Sequence, residues 1–156
     1  MANIMLIENG FAQIKLVLPD EIKQNIRLQN WNNLDRILKI ATSPDGFLHQ
    51  QLQLYISIKS IEFIIAIRSA PDDEDGIWHD DGSRQLAFTL SLVEDLKQLE
   101  GGILQLRQKS AREHITLIPT PAYGTLTIIK TGHEGYEHCV TKVSRGTRII
   151  CAGWIN

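Results

Sequence analysis

The stretch Ile61-Glu62-Phe63-Ile64-Ile65-Ala66-Ile67, running into Pro71-Asp72-Asp73-Glu74-Asp75-Gly76, is where the chain changes character. β-Branched and aromatic residues crowd the first part, a composition that suits a pleated, half-buried strand. Pro, Asp and Gly in the second part end it with turn chemistry. On the N-terminal side the pattern is largely helical. Trp31, Leu34, Ile37, Leu38 and Ala41 recur at helical spacing from Asn30 to Ala41, and Ser43-Pro44-Asp45-Gly46 stops that helix. Phe47 to Tyr55 is read as a second helix, and Phe11 to Leu18 as a short strand closed by Pro19-Asp20, a helix start. On the C-terminal side strands take over. Gln85 to Val93, Gly102 to Leu106, Ile115 to Ile118, Thr125 to Lys130, Glu137 to Val143 and Thr147 to Trp154 are separated by Gly, Pro or charged turns.

Helices followed by six or more short strands define an α+β chain, mainly β, whose strands close into a sandwich or jelly roll with the helices packed on one sheet. No linker divides the parts, so residues 1–156 are expected to form a single domain, with 1–60 as helical support and 61–156 as the core. The chain has 156 residues, 43% hydrophobic and 22% charged, a composition that can bury a core without disulfides. A formal net charge of −2 with scattered Lys and Arg gives no footprint for nucleic acid, and no apolar run approaches a membrane span. A cytoplasmic protein is expected. Cys139 and Cys151 form no CxxC pair and are read as free buried thiols.

Chemistry concentrates in Ile77-Trp78-His79-Asp80-Asp81-Gly82. In a strand, residues i and i+2 face the same way, so His79 and Asp81 would point together into the interior as an N,O pair. His-x-Asp alone is a common tripeptide. Its weight comes from His138, a third ligand, and from Arg148 on the strand after the Arg145-Gly146 turn. Two histidines and a carboxylate occupy one face of an octahedral iron and leave positions open for a 2-oxo acid and O2. The Arg148 guanidinium can fork onto the distal carboxylate of that acid.

At these residues the sequence resembles the prolyl 4-hydroxylase-like branch of the Fe(II)/2-oxoglutarate dioxygenase superfamily. The resemblance runs from Trp78 to Trp154 and rests on His79 and Asp81, then Gly101-Gly102-Ile103-Leu104, then His138, Val143, Gly146, Arg148 and Trp154. It implies a double-stranded β-helix of the cupin-like kind, with His79, Asp81 and His138 as Fe(II) ligands and Arg148 holding 2-oxoglutarate. The implied activity is hydroxylation with O2 of a C–H bond, in a protein or peptide side chain such as proline or in a small metabolite. Many members add a tyrosine hydroxyl on the cosubstrate carboxylate from the strand after His-x-Asp. That strand here offers only Thr89 or Ser91, with Tyr123 as an outside candidate. His133 competes with His138 for the third position, but the residue ten beyond it is Val143, which cannot pair with a carboxylate. The acidic run Asp72 to Asp75 reads as a solvated loop, and His49 and His114 as residues without a partner motif. Two rival readings are a non-catalytic jelly-roll binding module and a cupin-like metal enzyme that uses no 2-oxo acid.

Overall fold

Local chemistry sets the helical boundaries in the computed structural model, which describes residues 2–156. The first elements are helix α1 (Ala2–Asn9), strand β1 (Phe11–Lys15), and helices α2 (Asp20–Arg27), α3 (Trp31–Thr42) and α4 (Phe47–Leu52). Pro19 sits at the N-cap of α2, where its missing N–H costs nothing, and Asp20 and Glu21 follow in the first turn, favourably placed for the helix dipole. The Asn30 side chain caps α3 by accepting from the Asn33 amide at 3.3 Å. Helix α1 was not anticipated from the sequence, because Ala-Asn-Ile-Met-Leu-Ile-Glu-Asn lacks a clear apolar stripe and buries only Leu6.

The remaining strands are β2 (Ile61–Ser69), β3 (Leu86–Ser91), β4 (Glu100–Gly101), β5 (Leu104–Gln108), β6 (Thr116–Ile118), β7 (Thr125–Lys130), β8 (Tyr136–Val140), β9 (Val143–Arg145) and β10 (Thr147–Ile155). They form a major five-stranded sheet in the order β1-β7-β3-β10-β2, a three-stranded sheet β6-β5-β8, and the small pair β4-β9, all antiparallel. The result is a double-stranded β-helix that stays open rather than closing into a barrel. Among the described residues, no helix is long and apolar enough to cross a membrane.

Strand alternation distributes the side chains between two cores. Leu34, Leu38, Leu48 and Leu52 from the helices pack with Leu90, Leu126, Ile128, Cys151 and Ile155 on the outer face of the major sheet. Ala87 and Ile129 on its inner face meet Leu104, Leu106, Ile118 and Tyr136 of the smaller sheet. The helices are therefore the outer layer of the larger core. Leu38 is fully buried there, so Leu38→Ala is expected to lower the unfolding free energy by about 2–5 kcal/mol, measured by urea denaturation.

The acidic run is not simply solvated, which corrects its reading from sequence. Asp73 receives the Arg68 Nε at 3.0 Å and the Val143 amide at 2.6 Å, and Asp75 receives the Lys142 amide at 2.8 Å. Burial alone would raise the Asp73 carboxyl, but the Val143 amide and the Arg68 guanidinium hold it below the usual carboxylate range. These bonds strap the loop across the β8–β9 turn. They also account for the break between β8 and β9, where the sequence suggested one strand.

Candidate active site

His79 enters the fold through an isolated β-bridge with His138 on β8, the two backbones exchanging N–H···O bonds of 3.0 and 2.8 Å. This pairing sets the two imidazoles side by side, ring centroids 4.3 Å apart. Asp81 arrives differently from the expectation. It does not follow strand alternation, but sits in a turn at φ +62°, and that turn swings its carboxylate back toward both rings. Asp81 Oδ1 lies 3.5 Å from His79 Nε2, and Oδ2 lies 3.3 Å from His138 Nε2. One ligand atom from each of the three residues falls within 4.8 Å of the others.

The polarity of this cluster suits a cation. The side chains of His138 and Asp81 are 9% and 5% exposed, yet Asp81 Oδ2 is buried without a hydrogen-bond donor despite the nearby imidazole. A buried carboxylate oxygen left in that state is costly unless something positive meets it. His79 Nδ1 lies 2.7 Å from the Ile77 carbonyl, which can only accept, so Nδ1 carries a proton and Nε2 is the nitrogen turned toward Asp81. Burial pushes His138 down to about 4, with Asp81 opposing and His79 adding to the shift, so this ring is neutral at neutral pH. Two imidazole nitrogens and one carboxylate oxygen are a donor set that fits a divalent transition metal such as Fe(II).

Basic residues of the smaller sheet and the loop after it brace the turn that carries these groups. Arg107 of β5 stacks on Trp78 at 3.7 Å and pairs with Glu137 at 2.7 Å. Lys109 pairs with Asp80, whose other oxygen accepts from the Gly82 amide at 2.9 Å. The residues on either side of His79 are thus each tied to the smaller sheet or its following loop. None of these braces was singled out from the sequence, since the pairs lie about thirty residues apart along the chain.

A cavity of about 170 Å3 opens beside the cluster, walled by His79, His138, Thr89, Phe88, Leu104 and Arg148 among others. Arg148 is 3% exposed, and its Nε donates to Thr120 Oγ1 at 2.9 Å. No carboxylate among the described residues forms an ion pair with it. Burial, with the Arg68 guanidinium nearby, lowers Arg148 to about 10, still charged at neutral pH. Gly102, at φ +64°, makes room for it: a Cβ there would lie 2.6 Å from Arg148 Cδ.

The other candidates are placed as follows. Thr89 lines the cavity. Ser91, on the same face of β3, is not among the lining residues, because its hydroxyl donates to the Pro121 carbonyl at 2.7 Å. Tyr123 packs against the helical core instead, its hydroxyl buried and unpartnered. His133 lies in a short helical turn outside the cluster, and His114 is surface-exposed beside Glu113. Cys139 and Cys151 are free and buried. Thr120, which the sequence reading passed over, proves to be Arg148's partner. Its signal is slight, a hydroxyl residue between Pro119 and Pro121.

An open double-stranded β-helix with two histidines, one carboxylate and a buried guanidinium around one cavity defines a class of metal-dependent oxygenases. The sequence model of the 2OG-Fe(II) oxygenase superfamily matches residues 69–156, more than half of the chain, and the chain belongs to that superfamily. It is 33% identical over 134 residues to a PKHD-type hydroxylase of Synechococcus sp. (strain CC9902), a match covering 78% of this chain and 56% of that protein. The chain thus spans little more than half the length of this relative. Among solved structures it is similar to a Pseudomonas putida prolyl-4-hydroxylase, with TM-score 0.69, 17% identity, and coverage of 99% of this chain and 92% of that one. It is also similar to a prolyl hydroxylase from Trichoplax adhaerens in complex with a hypoxia inducible factor oxygen degradation domain peptide fragment, with TM-score 0.67, 14% identity, and coverage of 99% and 87%. At these identities the structural likenesses speak for the fold. Membership of the superfamily implies Fe(II), 2-oxoglutarate and O2 as the cofactor set.

Proposed function

We propose that this chain is an Fe(II)- and 2-oxoglutarate-dependent hydroxylase, with His79, Asp81 and His138 as the iron ligands and Arg148 as the anchor for 2-oxoglutarate. The observation that carries the reading is the pairing of two features in one cavity. Three metal-type donors converge on one point, and a buried guanidinium without a carboxylate partner lies along the same wall.

When bound, Fe(II) would supply the activation of O2, the oxidant, with two electrons coming from 2-oxoglutarate as it is decarboxylated to succinate and CO2 and two from the substrate C–H bond. The chain's own residues do the rest. The Ile77 carbonyl fixes the His79 ring so that Nε2 faces inward. Asp81 contributes the anionic ligand, and its burial strengthens every electrostatic contact there. Arg148 binds the distal carboxylate with its free N–H groups, with Thr89 as a neighbouring hydroxyl on the same wall. Phe88, Leu104, Ile129 and Ile150 keep that part of the cavity apolar and exclude water from it.

For the substrate, the resemblance to prolyl hydroxylases, one bound to a peptide, favours a protein or peptide side chain such as proline, with a small metabolite as the alternative. The same reading takes residues 1–156 as one dioxygenase unit, because helix and sheet residues share one buried cluster. It assigns no nucleic-acid or membrane partner, and it places the protein in the cytoplasm, where two unpaired buried thiols are at home.

The test is anaerobic titration of the Fe(II)-loaded protein with 2-oxoglutarate. Chelation of the 2-oxo acid is expected to produce a visible charge-transfer band, and admission of O2 to yield succinate even without the primary substrate. If neither band nor succinate appears in iron-loaded protein, the proposal fails.

A further inference from the structure

We infer that Thr120 is a positioning residue for cosubstrate binding: its hydroxyl, held by the Gly102 carbonyl, fixes the Arg148 guanidinium so that its two terminal nitrogens face the cavity. The inference rests on the reading of Arg148 as the 2-oxoglutarate anchor and deepens it.

Proton counting gives the direction of the relay. A hydroxyl has one proton to donate. Thr120 Oγ1 lies 3.0 Å from the Gly102 carbonyl oxygen, which can only accept, so the proton goes there. The oxygen lone pairs are then turned to the Arg148 Nε–H, 2.9 Å away. Thr120 therefore has no donor left for a cosubstrate carboxylate and cannot be the missing second contact. Its effect passes through Arg148. With Nε occupied, the guanidinium can rotate only by breaking a buried hydrogen bond, and Nη1 and Nη2 are left as the fork for a carboxylate.

Two further observations fix Thr120 itself. It is 9% exposed, between prolines that cannot donate to a sheet ladder. The carbonyl that follows it, at Pro121, accepts the Ser91 hydroxyl at 2.7 Å, so β3 tethers this segment from beneath. Gly102 acts twice, as acceptor for Thr120 and as the gap that admits the Arg148 side chain. The Gly-Gly-x-Leu motif and the basic residue, 46 positions apart, are thus linked through a hydroxyl between them.

The experiment measures direct binding of 2-oxoglutarate to the anaerobic protein loaded with Mn(II), alongside 2-oxopentanoate, which keeps the 2-oxo acid and lacks the distal carboxylate. Thr120→Val is expected to weaken 2-oxoglutarate binding about 10-fold, the usual worth of a hydrogen bond to a charged group. It leaves 2-oxopentanoate binding unchanged, and Thr120→Ser restores 2-oxoglutarate. On an Arg148→Met background, Thr120→Val has no further effect. Thr120→Ala, which removes the same hydroxyl without placing a methyl against Gly102, gives the same reading if the valine variant does not fold. Wild-type 2-oxoglutarate affinity in both hydroxyl-deleted variants, with Arg148→Met impaired, would overturn the role of Thr120 and leave the anchor standing. Wild-type affinity in Arg148→Met would overturn the anchor itself. Equal losses for both acids would mean that Thr120 only supports the fold.

Discussion

Asp81→Ala is expected to abolish Fe(II)-dependent consumption of 2-oxoglutarate, with metal affinity falling by more than about a hundredfold. Changes to residues that merely support a metal ligand already cost about 10- to 100-fold, and Asp81 is the anionic member of the set. Its carboxylate is 5% exposed and faces both imidazoles. Alanine also fits poorly at φ +62°, so Asp81→Asn is the sharper variant. Asparagine tolerates that backbone and keeps the side-chain shape while removing the charge. Isothermal titration with Fe(II) under anaerobic conditions, together with succinate release, separates the two effects. An Asp81→Asn protein that binds iron and forms succinate as the parent does would remove Asp81 from the ligand set.

Arg148→Met is expected to raise the KM for 2-oxoglutarate roughly a hundredfold, as the loss of a charge-assisted, two-pronged contact implies, while kcat at saturating cosubstrate changes far less. Stability supplies the control. A guanidinium that is 3% exposed and lacks a carboxylate partner is a cost to the fold. The methionine variant should therefore unfold at no lower temperature than the parent. A raised KM with an unchanged melting temperature locates the defect in binding. Unaltered KM would mean that the cosubstrate is held elsewhere in the cavity.

Much of this architecture is visible in the chain because its strands are short runs of β-branched residues between strong turn residues. β2, β7 and β10 fall close to their expected limits, and Asn30 to Ala41 forms the helix that its apolar spacing indicates. What the pattern hides is settled by distant partners. The break at Thr141-Lys142 depends on Asp73 and Asp75 capturing the amides of Val143 and Lys142 from about seventy residues away. The two-residue pairing of β4 with β9 has no periodicity to detect. The site follows the same division. His79, Asp81, His138 and Arg148 announce themselves by residue type and order, whereas the geometry joining the first two is a turn and not strand alternation. Arg107, Lys109 and Thr120 act through contacts that only the folded chain creates.

That turn has a consequence of its own. The bend at Asp81 is one that glycine, asparagine and aspartate enter readily and that most other residues occupy at a cost of roughly 1–2 kcal/mol. It is also where a carboxylate is turned away from water, its side chain 5% exposed. One residue type thus meets two demands, since aspartate suits both the backbone of the bend and the negative charge that a dication calls for. Few other side chains satisfy both demands, so this corner of the chain tolerates little substitution.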